Sequence, residues 1–323
     1  MRLAIISGIL LASFSHATEP KSVRGEITFV ADSKDSSVPE KFRLGESTFA
    51  FELKHRMTLK QAGVEIWHLT FPSPVKSPHE ENDTVHADYF VPVGAKAKPA
   101  AIILDILDGA QVVSRSQALW LAQNDTPALI VTMAYYGERR PKGSKERLLS
   151  PDARKSVANI EQTVLDCRRA VAWLESRPEV DPKKIGLVGT SLGSFVGGVV
   201  AGVEPKIASA CLILGGGDLV ECFAKHPKAK AILETLKMLG FTLDGLKPIV
   251  ASVDPITYAE SLKKKRLLLI GASDDDVVPP EAMTRLWKAT GEPAIRWYKA
   301  SHVGAALFVI PMMRDVTAHL HGK

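Results

Sequence analysis

"KKIGLVGTSLGSFVGGVVAG" occupies residues 183–202. Its apolar run stops at Gly189. A lone Ser191 then stands between Gly189 and Gly193, and small apolar residues continue beyond it. Gly189-Thr190-Ser191-Leu192-Gly193 fits G-x-S-x-G between a predicted strand and a predicted helix. In that setting a tight strand-to-helix turn strains the serine and lifts its Oγ out of the sheet. The flanking glycines follow, because side chains there would collide with the adjoining strand and helix. The same turn sets the N–H of Leu192 at a helix N-terminus, where backbone donors and the macrodipole favour negative charge. The pentapeptide alone is a weak signal, since any glycine-rich turn gives the same letters. Its position between strand and helix makes Ser191 the candidate nucleophile.

A serine nucleophile needs a base, and the base needs an orienting carboxylate. In this architecture the acid and then the histidine follow the serine in the chain, each just past a later strand. "RLLLIGASDDDVVPPE" (266–281) is a strand that runs into a turn carrying Asp274, Asp275 and Asp276. "AIRWYKASHVGAA" (294–306) is a strand followed by Ser301-His302-Val303-Gly304. A lone histidine is most often a surface residue. His302 is set apart by its place after the last apolar strand, with room for one helix and one strand between it and the aspartates.

The flanking pattern fixes the fold class as α/β. Near-continuous apolar runs appear at 100–107, 127–134, 184–189, 207–215, 266–271 and 294–299, with stretches of helical period between most of them. Buried strands alternating with helices imply a mostly parallel sheet with helices on both faces. The clearest helix is "DARKSVANIEQTVLDCRRAVAWLESRP" (152–178), in which Val164, Cys167, Ala170, Val171 and Leu174 build one apolar face. Earlier, "STFAFELKHRM", "VEIWHLTFPS" and "VHADYFVPV" read as strands of a half-buried antiparallel edge, separated by a Pro- and Ser-rich loop over 72–84.

Composition is ordinary for a globular chain of 323 residues, 46% hydrophobic and 24% charged. A net charge of +5 is a small excess over 36 acidic residues, and no basic stripe interleaves with aromatics. A nucleic-acid partner is therefore not expected. Arg2, the apolar run Leu3–Phe14 and the small-residue end Ser15-His16-Ala17 read as a signal peptide over 1–17, cut after Ala17. The run falls short of the roughly 20 apolar residues of a membrane span, so secretion or periplasmic export is expected, with no stable membrane span. Cys167, Cys211 and Cys222 are an odd number in a large domain. A Cys211–Cys222 bridge is left open, and no Cys/His spacing resembles a zinc site, so no metal is expected.

With serine, aspartates and histidine in this order, the chain from about residue 99 to its end resembles the α/β-hydrolase superfamily. Its likeness is to serine esterases of the dienelactone-hydrolase and acetyl-xylan-esterase-like branches. "DCRRAVAWLESRPEVDPKKIGLVGTSLG" carries the resemblance most specifically, and "LTFPSP…VHADYFVP" resembles the strands before the core in those esterases. The resemblance implies an α/β-hydrolase fold and an acyl-enzyme hydrolase without a cofactor. It implies a core over 99–323, N-terminal strands over 18–98 joining the sheet, and a small helical cap over about 217–250. Dienelactone hydrolases proper use a cysteine nucleophile, so Ser191 favours the esterase side. The family's D-x-x-V-P habit points to Asp275 as the acid. A second habit, an acid three residues after the strand-ending glycine, points to Asp274. We prefer Asp275.

The departures are specific. Many relatives carry His-Gly after the first core strand, where a backbone N–H completes the oxyanion hole; here "IILDILDGA" puts Asp105 where the histidine falls. That alignment gives the Leu107 N–H as the second donor beside Leu192. Ser194 replaces a second glycine. "MAYYGERRPKG" (133–143) lies at the carboxyl edge of the sheet, where ligands bind. Arg139 or Arg140 there either holds an anionic group of a substrate or pairs with a carboxylate to fix the loop. Similar stretches occur in hydrolases that act on lipids. Three readings therefore compete: a secreted carboxylic-ester hydrolase acting on a small-molecule or carbohydrate ester; a lipase, thioesterase or peptidase with the same triad; and a non-catalytic binding protein on the same scaffold. The triad Ser191, Asp275, His302 in order argues against the third.

Overall fold

A computed structural model describes residues 21–31, 36–107, 110–224 and 242–323. Its strands are β1 (Ser22–Phe29), β2 (Ser47–Leu59), β3 (Val64–Pro72), β4 (Thr84–Pro92), β5 (Lys98–Leu104), β6 (Ala128–Val131), β7 (Val180–Thr190), β8 (Ile207–Ile213), β9 (Arg266–Ala272) and β10 (Ala294–Tyr298). They form one sheet in the order β1-β2-β3-β4-β6-β5-β7-β8-β9-β10. Pairing is antiparallel from β1 to β4 and between β4 and β6, and parallel from β6 to β10. The helices are α1 (Val112–Gln123), α2 (Ala153–Glu175), α3 (Leu192–Val203), α4 (Leu219–Ala224), α5 (Leu243–Val250), α6 (Ala259–Leu262), α7 (Pro280–Ala289) and α8 (Val309–Leu320).

Because successive strand side chains point to opposite faces, each apolar strand feeds two cores. Ile102 and Leu104 of β5 pack with Val164, Cys167 and Val171 of α2, Val196 and Val199 of α3 and Leu286 of α7. Ala101 and Ile103 pack with Leu121 of α1 and Met313 and Val316 of α8. Burial on both faces is the reason β5, β6, β8 and β9 read as unbroken apolar runs; β10, also expected to be buried, is instead an edge strand with one partner and has no fully buried residue. Asp152 caps α2 by accepting the N–H of Arg154, as an aspartate at a helix start does.

The structure differs from the sequence reading at several ends. β1 lies outside the strands expected from the sequence. "SVRGEITF" carries charge, and only Ile27 and Phe29 are buried, because β1 is an edge strand with one partner. β5 stops at Leu104 and β6 at Val131, short of their apolar runs. The chain leaves the sheet there to build loops at the carboxyl edge. The segment 72–84 contains a short 3-10 turn, Glu80–Asp83. The expected cap is helical at both described ends, α4 and α5, and its middle, 225–241, lies outside the described residues. The expected signal peptide also lies outside them. Among the described residues, no helix is long and apolar enough to cross a membrane.

Candidate active site

β7 ends at Thr190 and α3 begins at Leu192, so Ser191 alone makes the turn. Its φ of 53° and ψ of −117° are strained for a residue with a side chain. The strain is held by its neighbours. The Ser191 N–H donates to Ile213 O at 2.8 Å, and Ser191 O accepts from Ser194 N–H at 2.9 Å. A Cβ on Gly189 would strike the backbone of Gly193 and Ser194, and one on Gly193 would strike the carbonyls of Leu104 and Asp105. Glycine is required at both places because backbone approaches backbone. Ser194 sits buried inside α3, where the second glycine of relatives is not needed.

β9 and β10 are parallel neighbours, and the turns after them meet. Asp275 Oδ2 accepts from His302 Nδ1 at 2.8 Å, and His302 Nε2 lies 3.0 Å from Ser191 Oγ. The Asp275 side chain is 3% exposed and that of His302 14%. The amides of Val277 and Val278 donate to Asp275 Oδ1 at 2.9 and 2.8 Å, which fixes the carboxylate from its other oxygen. Asp274 and Asp276 are exposed, and Asp276 Oδ1 instead faces the His302 N–H at 3.4 Å. Three sequence-predicted residues from three loops thus form one chain of hydrogen bonds.

Leu192 occupies the first turn of α3 beside Ser191, and Leu107 stands half-exposed in the loop after β5. Asp105 is buried, and burial pushes its carboxyl up; the amides of Ile106 and Gln111 and the amide and hydroxyl of Ser114 oppose that shift only in part. The loop after β6 turns Arg139 inward. It is fully buried, forms an ion pair with Asp166 of α2 at 2.8 Å, and donates to Asn82 O and Thr132 O. That removes Arg139 as a substrate-facing group: it fixes the loop, as the second of the two readings has it. Arg140 donates to Tyr135 O at 3.1 Å.

All three cysteines are separate buried thiols, so Cys211 and Cys222 are not bridged. Burial raises the thiols of Cys167 and Cys211 far out of the neutral range, and that of Cys222 to about 11. None is ready to act as a thiolate nucleophile at neutral pH.

The fold has counterparts of known structure. Acetyl xylan esterase from Paenibacillus sp. R4 superposes with a TM-score of 0.67 at 17% identity, covering 83% of this chain and 88% of that one. Acetyl xylan esterase 1 from Thermoanaerobacterium sp. gives 0.59 at 16% identity over 81% and 87%. An esterase from Pyrococcus furiosus gives 0.57 at 18% over 82% and 94%. The chain has the α/β-hydrolase fold. Within that fold, residues 168–289 match the family model described as "BAAT / Acyl-CoA thioester hydrolase C terminal". The matched stretch contains Ser191 and Asp275 and stops before His302. Two Mycobacterium tuberculosis proteins titled "Uncharacterized protein", from strains CDC 1551 / Oshkosh and ATCC 25618 / H37Rv, are 31% identical over 169 residues, 52% of this chain and 39% of theirs. The chain thus spans well under half the length of these curated relatives.

Proposed function

We propose that this α/β-hydrolase is a serine carboxylic-ester hydrolase. The observation that carries the proposal is the unbroken chain Asp275–His302–Ser191, ending on a serine held in a strained strand-to-helix turn. His302 Nε2 takes the proton of Ser191 Oγ as that oxygen attacks the ester carbonyl. The N–H of Leu192 and the N–H of Leu107 receive the oxyanion. His302 then gives its proton to the departing alcohol, and water repeats the cycle to free the acid. Asp275, pinned by two amides, keeps Nδ1–H in place and offsets the imidazolium charge.

Two observations bear on the substrate. Two of the structural neighbours are acetyl xylan esterases, which favours a short acyl group on a carbohydrate. The family match over 168–289 favours the second reading, a thioester, with the same residues and a thiol in place of the alcohol. The cap over about 217–250 is our candidate for the element that shapes the acyl pocket. Export rests on the leader-like 1–17, and N-terminal sequencing of exported protein should begin at or near Thr18. Kinetics on matched oxygen esters and thioesters of rising acyl length test the substrate reading. A preference for acetyl oxygen esters supports the first reading, and a preference for thioesters the second. Failure to turn over any ester or thioester would overturn both.

A further inference from the structure

Away from Ser191, His68 of β3, His86 of β4 and Glu138 of the loop after β6 bring one ligand atom each to within 4.8 Å of the others. We propose that these three side chains form a binding site for a divalent transition metal of the zinc class, at the same carboxyl edge of the sheet as Ser191. Two imidazoles and one carboxylate are a donor set that suits zinc and disfavours calcium and magnesium, which prefer oxygen alone.

The geometry fits. His68 Nε2 and His86 Nδ1 are 3.1 Å apart. Two nitrogens at that separation can each lie about 2.0–2.1 Å from one ion, with an angle near 100° between them, close to tetrahedral. The support behind the ligands is also present. Asp88 Oδ1 accepts from His68 Nδ1 at 3.0 Å. That bond places the proton of a neutral His68 on Nδ1 and aims the lone pair of Nε2 at the site, as carboxylate partners of metal-bound histidines do. In the metal-free chain His86 Nδ1–H donates to His68 Nε2. Moving that proton to His86 Nε2 frees the second lone pair without changing the charge of the ring.

The local charge allows a cation. Arg115 hydrogen-bonds Asp88, and Arg139 pairs with Asp166, so each of those arginines is already matched by a carboxylate. Glu138 is the further acid facing His86, and Arg56 is exposed. The cluster reaches solvent through Glu138. His68 is buried and His86 half-buried, while Glu138 is exposed and lines an open cavity of about 420 Å³ with Asp105, Gln111, Arg115 and Tyr136. A bound ion would tie the Tyr135–Arg140 loop to β3 and β4 and so hold one wall of that cavity.

The test uses the full chain, stripped by a chelator and titrated with zinc against a chromophoric competitor. One equivalent should bind tightly, and thermal melts should rise with zinc. Glu138→Gln, an exposed change that spares the fold, and His86→Asn should each weaken binding about tenfold or more. Diffraction at the zinc edge should place the ion between His68 Nε2, His86 Nδ1 and Glu138. No binding by the wild-type chain would overturn the proposal. So would unchanged affinity in both variants with loss in His302→Asn, which would put the metal at the other histidine.

Discussion

The chain contains two histidine–aspartate pairs built alike. In one, Asp275 accepts from His302 Nδ1 at 2.8 Å and Nε2 faces Ser191 Oγ at 3.0 Å; in the other, Asp88 accepts from His68 Nδ1 at 3.0 Å and Nε2 faces His86 Nδ1 at 3.1 Å. Each aspartate fixes its imidazole. What differs is the group beyond Nε2 and the group behind the carboxylate. Ser191 is a hydroxyl on a strained turn, so proton transfer to His302 makes a nucleophile. His86 is a second imidazole, and no bond-making group is gained. Asp275 is held by neutral amides and keeps its full charge for the imidazolium, whereas Asp88 shares its charge with Arg115. A His–Asp pair is thus a base only by virtue of what it faces.

The comparison breaks first at the recipients. Ser191→Ala should lower kcat on a short-chain ester by on the order of 10⁵–10⁶, with only oxyanion binding left. His86→Ala should cost less than about tenfold in the same assay, because no step passes through it. Equal losses would erase the distinction.

The carboxylates come next. Asp275→Asn should cost on the order of 10⁴ in kcat, since the amide holds the wrong tautomer. Asp274→Asn and Asp276→Asn, both exposed, should stay within about tenfold. Asp88→Asn should show mainly in stability, with a loss of about 1–3 kcal/mol in urea unfolding from a weakened charged hydrogen bond. A kcat loss for Asp88→Asn as large as that for Asp275→Asn would make the two pairs equivalent.

The smallest effect belongs to Asp105, which lies against the Ser191 turn. Its pKa is raised in the folded state, so its contribution is most favourable below the unfolded carboxylate range and is lost as pH rises through the folded value. Asp105→Asn removes that dependence. The Tm of the variant should gain on wild type between pH 4 and pH 8, and a gap that stays constant across that range would contradict the burial account.

Much of the fold and the site is legible in the sequence. Ser191 and His302 each follow the end of an apolar strand, and parallel strands bring such ends together, so order along the chain predicted proximity. The three consecutive aspartates were harder, because a turn can present any one of them. The deciding contacts are the Val277 and Val278 amides on Asp275, which depend on how the backbone curls. Arg139 could not be assigned from sequence, since its partner Asp166 sits in a helix whose register with the loop is set by packing. The His68–His86–Glu138 cluster has no spacing signature at all. Its members come from two antiparallel strands and a loop, and only the pairing of β3 with β4 and of β4 with β6 collects them.

The central claim is that Ser191 is the activated nucleophile, and covalent labelling tests it most directly. The folded chain should be treated with a fluorophosphonate and analysed by intact mass and peptide mapping. The account predicts one adduct per chain, on Ser191, abolished in Ser191→Ala and much slowed in His302→Asn. A folded protein that takes no label, or takes it on another residue while Ser191 stays free, would contradict it.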